Sequence, residues 1–208
     1  MSDKKRLMLI DGHALAFRAY HAIPPLTSPA GEPTNATFGF ANMLLKALGD
    51  YQPDYVITSF DVGRTFRHEE YEAYKAHRVE MPEDLRLQIG RIRELLEALG
   101  IPICTMEGYE ADDVLGSLAA KAQEAGLDTI IVTGDSDAFQ LIGPGVRVLV
   151  PRRTFGDVAL YDEEAIRERY GLSPAQLVDL KALVGDSSDN IPGVSGVGEK
   201  TATKLLQE

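Results

Sequence analysis

Nine carboxylates, Asp11, Asp61, Glu110, Asp112, Asp113, Asp135, Asp137, Asp186 and Asp189, stand where an apolar run ends, a helix begins or a glycine turn intervenes. Carboxylates are hard oxygen donors, and so many of them cannot converge in a bare pocket without raising one another's pKa or forcing the fold open. Divalent cations remove that repulsion. The four histidines, His13, His21, His68 and His77, show no zinc spacing, and one cysteine cannot build a thiolate site. A donor set of acids alone suits Mg²⁺ or Mn²⁺. These residues point to a metal-dependent enzyme acting on phosphates.

The elements that must position these acids follow from periodicity. Asp11 closes Leu7-Met8-Leu9-Ile10, Asp61 closes Val56-Ile57-Thr58-Ser59-Phe60, and Asp135 follows Ile130-Ile131-Val132-Thr133-Gly134. If these runs are parallel strands, their carboxyl ends share the crevice in which open α/β sheets place ligands. Helical spacing recurs at 35–49 and 84–99, a helix starts near Glu110, and short strands are expected at 101–104, 146–150 and 158–161. The alternation predicts an α/β fold with a mostly parallel central sheet flanked by helices. Helix-like segments at 162–170 and 174–184 precede a glycine-rich end.

The chain has 208 residues, 44% of them hydrophobic, which suffices for a full core. Its net charge of −11 argues against a generally basic nucleic-acid binder, yet setting the nine acids aside leaves the remainder close to balance. Lone Cys104 excludes an intrachain disulfide and favours a reducing compartment, and its setting in Ile101-Pro102-Ile103-Cys104 predicts a packed thiol in a buried strand. Without a leader-like segment or an apolar run near the roughly 20 residues that cross a bilayer, a cytoplasmic protein away from membranes is expected.

Residues 62–83 break the alternation. They mix Arg64, Phe66, Arg67, His68, Tyr71, Tyr74, Lys75, His77 and Arg78 with few aliphatic residues, a blend suited to nucleic-acid contacts or to a solvated loop. Glu110, Asp112 and Asp113 lie at a helix start, where acids also serve as caps and complement the macrodipole; three exceed what capping requires. Asp135 and Asp137 flank a strand-to-helix turn, and Asp137 could alternatively be a plain N-cap. Gly193, Gly196 and Gly198 permit a tight hairpin ahead of a helix beginning near Glu199, a geometry whose amides can hold a phosphate without reading a base.

Taken in order, Leu9-Ile10-Asp11-Gly12-His13, Phe60-Asp61, Tyr74-Lys75-Ala76-His77-Arg78, the stretch 108–113, Thr133–Asp137 and 185–202 resemble one family over essentially all 208 residues. It is the family of 5′-nuclease domains at the N-terminus of bacterial DNA polymerase I, within the flap endonuclease superfamily. The resemblance implies a structure-dependent hydrolase of 5′ flaps, RNA primers and 5′-ended duplex DNA in replication and repair, working by two-metal chemistry. It implies a PIN/5′-nuclease-like catalytic domain over 1–172, with 62–83 as an arch or clamp. It further implies a helical DNA-binding region over 173–208 containing a helix–hairpin–helix.

By the same resemblance one metal would use Asp11, Asp61, Glu110 and Asp112, the other Asp135, Asp137, Asp186 and Asp189, with Asp113 in support. Lys75 and Arg78, with Arg18, would hold the scissile phosphate, and Tyr74 would stack on a nucleotide. Gly193, Val194, Gly196, Gly198, Lys200 and Thr201 would grip the duplex, with K⁺ at the hairpin. A monomer is expected, with a polymerase domain on the same polypeptide in the family. Two departures stand out: 62–83 carries four Lys/Arg against five Glu, and the chain ends at Glu208, just inside the last helix, where the family's nuclease domain continues. A truncated domain is therefore expected. A PIN-type ribonuclease and a non-catalytic DNA-structure-binding module are the competing readings.

Overall fold

A computed structural model describes residues 4–152 and 157–208. In chain order the elements are β1 (Arg6–Asp11), α1 (Gly12–Ala22), α2 (Asn35–Tyr51), β2 (Tyr55–Ser59), α3 (Phe66–Glu70), α4 (Glu83–Ala98), β3 (Ile103–Cys104) and α5 (Ala111–Glu124). There follow β4 (Asp128–Val132), a 3-10 turn (Ser136–Leu141), β5 (Val146–Pro151), β6 (Val158–Tyr161), α6 (Glu163–Tyr170) and α7 (Gln176–Val184). A two-residue pair, β7 (Gly185–Asp186) and β8 (Ile191–Pro192), leads to α8 (Glu199–Gln207).

The main sheet runs β3-β2-β1-β4-β5-β6 and is parallel except for the β5–β6 pair. Apolar runs without polar alternation need cover on both faces, and the sheet has it. Met8 and Ile10 of β1 pack with Phe40 and Leu44 of α2 and Leu85, Ile92 and Leu96 of α4. Leu7 and Leu9 face the opposite cluster of Leu115, Ala119, Phe139, Ile166, Leu177 and Leu180. This is the α/β architecture that the alternation predicts. Buried Gln88 on α4 accepts the amides of Ala36 and Thr37 at 2.7 and 3.1 Å, so a side chain from another element caps α2.

Strand β1 is central. The chain builds outward to β2 and β3, then returns to place β4 on the other flank of β1. That reversal opens a crevice at the carboxyl ends of β1 and β4, where Asp11 and the Thr133–Asp137 segment emerge. Gly12 lets α1 turn sharply off β1, because a Cβ there would collide with the Phe60 ring. Cys104 corrects one expectation: β3 is a two-residue edge strand and the thiol is exposed. Among the described residues no helix is long and apolar enough to cross a membrane.

Candidate metal centre

Five of the nine acids, Asp11, Asp61, Glu110, Asp112 and Asp135, line one cavity of about 430 Å³ together with His13 and Arg78. Asp11 is buried and caps α1, accepting the Ala14 amide at 2.9 Å and the Thr133 hydroxyl at 2.8 Å. Burial nevertheless pushes its pKa up to about 6, with the Asp61 charge adding to the rise. Asp61 accepts the Ala111 amide at 2.7 Å and has His13 Nδ1 3.4 Å away. Burial works against its ionisation, yet His13 and the Ala111 amide hold it below the usual carboxylate range.

Asp112 is the outlier. Among the described residues its carboxylate has neither a hydrogen-bond donor nor an ion-pair partner. Burial, then the charges of Asp11, Asp135, Asp61 and Glu110, push it up to about 8. A half-buried acid facing four others, with no donor among the described residues, keeps its charge only beside a cation and otherwise takes up a proton. The hard-oxygen cavity around it fits a divalent ion on that ground.

A second cluster lies behind Tyr74. Oxygens of Asp137, Asp186 and Asp189 all sit within 4.8 Å of one another and edge a neighbouring cavity of about 560 Å³, lined also by Phe66, Arg67, Tyr71 and Tyr74. Lys181 Nζ donates to Asp186 at 2.6 Å and to Asp137. Asp186 also accepts from the Ser188 amide and hydroxyl, and although burial opposes its charge, Lys181 and Ser188 bring it down to about 2. Asp137 moves the other way: burial raises its pKa despite Lys181.

Residues 71–78 form the wall between the cavities. The Tyr74 hydroxyl lies 3.0 Å from Asp189 and 3.1 Å from both Glu110 oxygens. Lys75 Nζ donates to Glu110 at 2.8 Å and sits 3.9 Å from Asp189, which Arg78 pairs at 2.7 Å. The Lys75 amide bonds the Asp189 carbonyl at 3.0 Å, Asn190 donates to the Ala73 carbonyl at 2.8 Å, and the Tyr71 hydroxyl donates to the Asn190 carbonyl at 3.2 Å. Lys75 and Asn190 both adopt left-handed backbone, at φ 54° and 60°.

Four residues stand differently from what the resemblance implies. Asp113 stays outside both cavities, because Arg67 takes both its oxygens at 2.6 and 2.8 Å and Asp113 also accepts the Glu110 amide; it tethers α3 to α5. Asp135 lines the first cavity rather than joining Asp137, since Asp135 turns back to accept the Asp137 amide at 2.9 Å. Tyr74 is buried, with its ring beside His68 and its hydroxyl among carboxylates, so its face is not presented for stacking. Arg18 points into a separate cavity of about 160 Å³ with Lys46, Arg152 and Asp157, away from the acids.

The hairpin is present and tightly closed. A Cβ on Gly193 would collide with the Val184 carbonyl carbon, so only glycine lets the turn cross α7's end. Val194 departs from the outward-facing amides expected of it, because its N–H donates to the Leu183 carbonyl at 2.8 Å. Gly196 is left-handed and exposed. Gly198 opens α8 without a side-chain cap, leaving Lys200 and Thr201 exposed in a first turn whose amides face solvent.

Sequence reasoning missed Lys181, Arg67 and Thr133. The available signal for Lys181 was a lone cation inside the apolar run Leu177–Val184, directly ahead of Asp186. Arg67 and Thr133 carry none, since only tertiary structure pairs them with Asp113 and Asp11.

Two family models match. One described as "5'-3' exonuclease, N-terminal resolvase-like domain" spans residues 6–171, and "5'-3' exonuclease, C-terminal SAM fold" spans 172–208. A DNA polymerase I of Chloroflexus aurantiacus is 56% identical over 207 residues, covering 97% of this chain and 22% of that protein. One of Deinococcus radiodurans is 50% identical over 208 residues, covering 100% and 21%. The chain thus spans about a fifth of the length of these relatives. Among solved structures, a bacteriophage T5 flap endonuclease in a pseudo-enzyme-product complex with DNA and metal ions superposes with TM-score 0.75 at 24% identity. The match covers 98% of this chain and 75% of the phage chain.

Proposed function

Because this chain belongs to the 5′-3′ exonuclease family, we propose that it is a divalent-metal-dependent 5′ nuclease hydrolysing phosphodiester bonds of 5′-flapped or 5′-ended duplex DNA and of RNA primers. Its place is the nuclease portion of a DNA polymerase I in replication and repair, in the cytoplasm and as a monomer. The observation that carries the reading is Asp112, a carboxylate without a donor among the described residues, held at about 8 by burial and four facing acids.

Mg²⁺ or Mn²⁺ would be held by Asp11, Asp61, Glu110, Asp112 and Asp135 in one cavity and by Asp137, Asp186 and Asp189 in the other. When bound, such ions supply charge neutralisation at phosphoryl oxygens and a more acidic water. The protein's own groups do the rest. Lys75 and Arg78, poised on Glu110 and Asp189, turn to the phosphoryl oxygens as the strand enters and stabilise the charge that grows there. His13 and Thr133 keep Asp61 and Asp11 oriented. Lys200, Thr201 and the first amides of α8 would hold a backbone phosphate of the duplex, and K⁺ at the hairpin would add charge neutralisation there.

The test compares a 5′-flapped duplex with single-stranded RNA in Mg²⁺, with and without EDTA. Cleavage of the flap alone, lost in EDTA and in Asp112→Asn, is the expected result. Cleavage of the RNA instead would establish the ribonuclease reading, and binding without cleavage the non-catalytic one.

A further inference from the structure

Resting on the reading that Asp137, Asp186 and Asp189 hold a cation, we propose that Lys181 is the resident counter-ion of that site. A divalent ion has to displace its ammonium, and Lys181 thereby sets how tightly the second ion binds and ties its binding to substrate.

The two acid clusters differ in how their charge is met. In the first, Asp112 has no donor at all among the described residues. In the second every acid is already matched: Lys181 bridges Asp137 and Asp186, while Arg78 and Tyr74 take Asp189. Among the described residues, Lys181 is the cation that spans two of the three carboxylates, whose oxygens lie within 4.8 Å of each other. Its ammonium therefore occupies the space between ligands from two separate elements, the 3-10 turn and β7. A divalent ion entering the first cavity relieves repulsion. One entering the second must break two charge-assisted hydrogen bonds.

Lys181 is nevertheless not locked in. Its side chain is 42% exposed and lines the cavity of about 560 Å³ shared with Arg67, Tyr71 and Gln140. An ammonium released from Asp137 and Asp186 faces that cavity and meets any phosphate entering it. Substrate thus provides the new partner that makes exchange favourable. The first ion binds the free protein, and the second arrives with the nucleic acid.

The experiment is a Mn²⁺ titration of the metal-free chain without DNA, counting free Mn²⁺ by electron paramagnetic resonance. The wild-type chain should show one tighter and one weaker class of site. In Lys181→Met the weaker class should tighten by about tenfold or more, tenfold being the fold-change that corresponds to releasing one of the two hydrogen bonds to a charged group, while the tighter class stays put. Lys181→Arg should behave as wild type. Equal affinities in wild type and a folded Lys181→Met overturn the inference alone, and reduce Lys181 to a structural tie. Absence of Mn²⁺ binding in either chain overturns the parent reading as well. Independently of any variant, NMR of the wild-type lysine side chains should show the Lys181 signal moving in Mg²⁺ plus a short DNA duplex but not in Mg²⁺ at first-site saturation; an unmoved signal in both overturns the displacement.

Discussion

Replacing Asp112 by Asn should stabilise the metal-free protein at alkaline pH while removing the proposed nuclease activity. A carboxyl held at about 8 instead of 3.8 disfavours folding once ionised by at most ~6 kcal/mol, at ~1.4 kcal/mol per tenfold. Relaxation of water and neighbouring acids around the charge reduces this to an expected ~2–3 kcal/mol. The sign follows from proton uptake. Between pH 3.8 and about 8 the folded state keeps a proton that the unfolded chain has lost, so this contribution is fully present below 3.8 and gone above about 8. Asp11, held at about 6, acts in the same direction over a narrower window. Asparagine keeps the shape and cannot ionise. Urea unfolding in EDTA should therefore find Asp112→Asn more stable than wild type at pH 9, with a smaller gap at pH 5 and none below pH 3.8. Adding Mg²⁺ at pH 9 should raise the wild type and close the gap. A variant no more stable than wild type at pH 9, or equally stabilised at both pH values, would refute the claim that like-charge crowding is held in this cavity.

Thr133→Val removes the 2.8 Å hydrogen bond to buried Asp11 and should cost ~1–3 kcal/mol of stability, read by urea unfolding above pH 6. Lys75→Met should lower the turnover number on a 5′-flapped duplex by ~10²-fold or more, with duplex affinity changed far less, as kinetics and anisotropy together will show. Gly193→Ala should disrupt the hairpin, because its Cβ collides with the Val184 carbonyl carbon. Gly196→Ala, in open space at φ 80°, should cost only ~1–2 kcal/mol; thermal melting of the pair should separate the two by several degrees.

The strands and the crevice were readable because they follow from local pattern. Continuous apolar runs ending in Asp11, Asp61 and Asp135 read as buried parallel strands, and connection rules then bring their ends together. The acid-rich first turn of α5 was equally plain from its spacing. What escaped was the partnering of charges. Nothing within residues 62–83 says that Tyr74 turns inward to Glu110 and Asp189, because the partners lie 36 and 115 positions away. Asp112 and Asp113 are neighbours in sequence, yet the ~100° between successive helical residues hands Asp113 to Arg67 and leaves Asp112 without a donor among the described residues. Arg18 follows the same logic: its place on α1 is legible, but which cavity it enters depends on where α2 and β5 pack.

The bonds joining residues 71–78 to 188–190 make two remote stretches of chain mechanically one piece. A pull on the glycine hairpin is felt at Lys75 and Arg78 through Asp189 and Asn190, without passing through the central sheet. The proposed grip on the double helix and the proposed cation site would thus be strung on a single tendon.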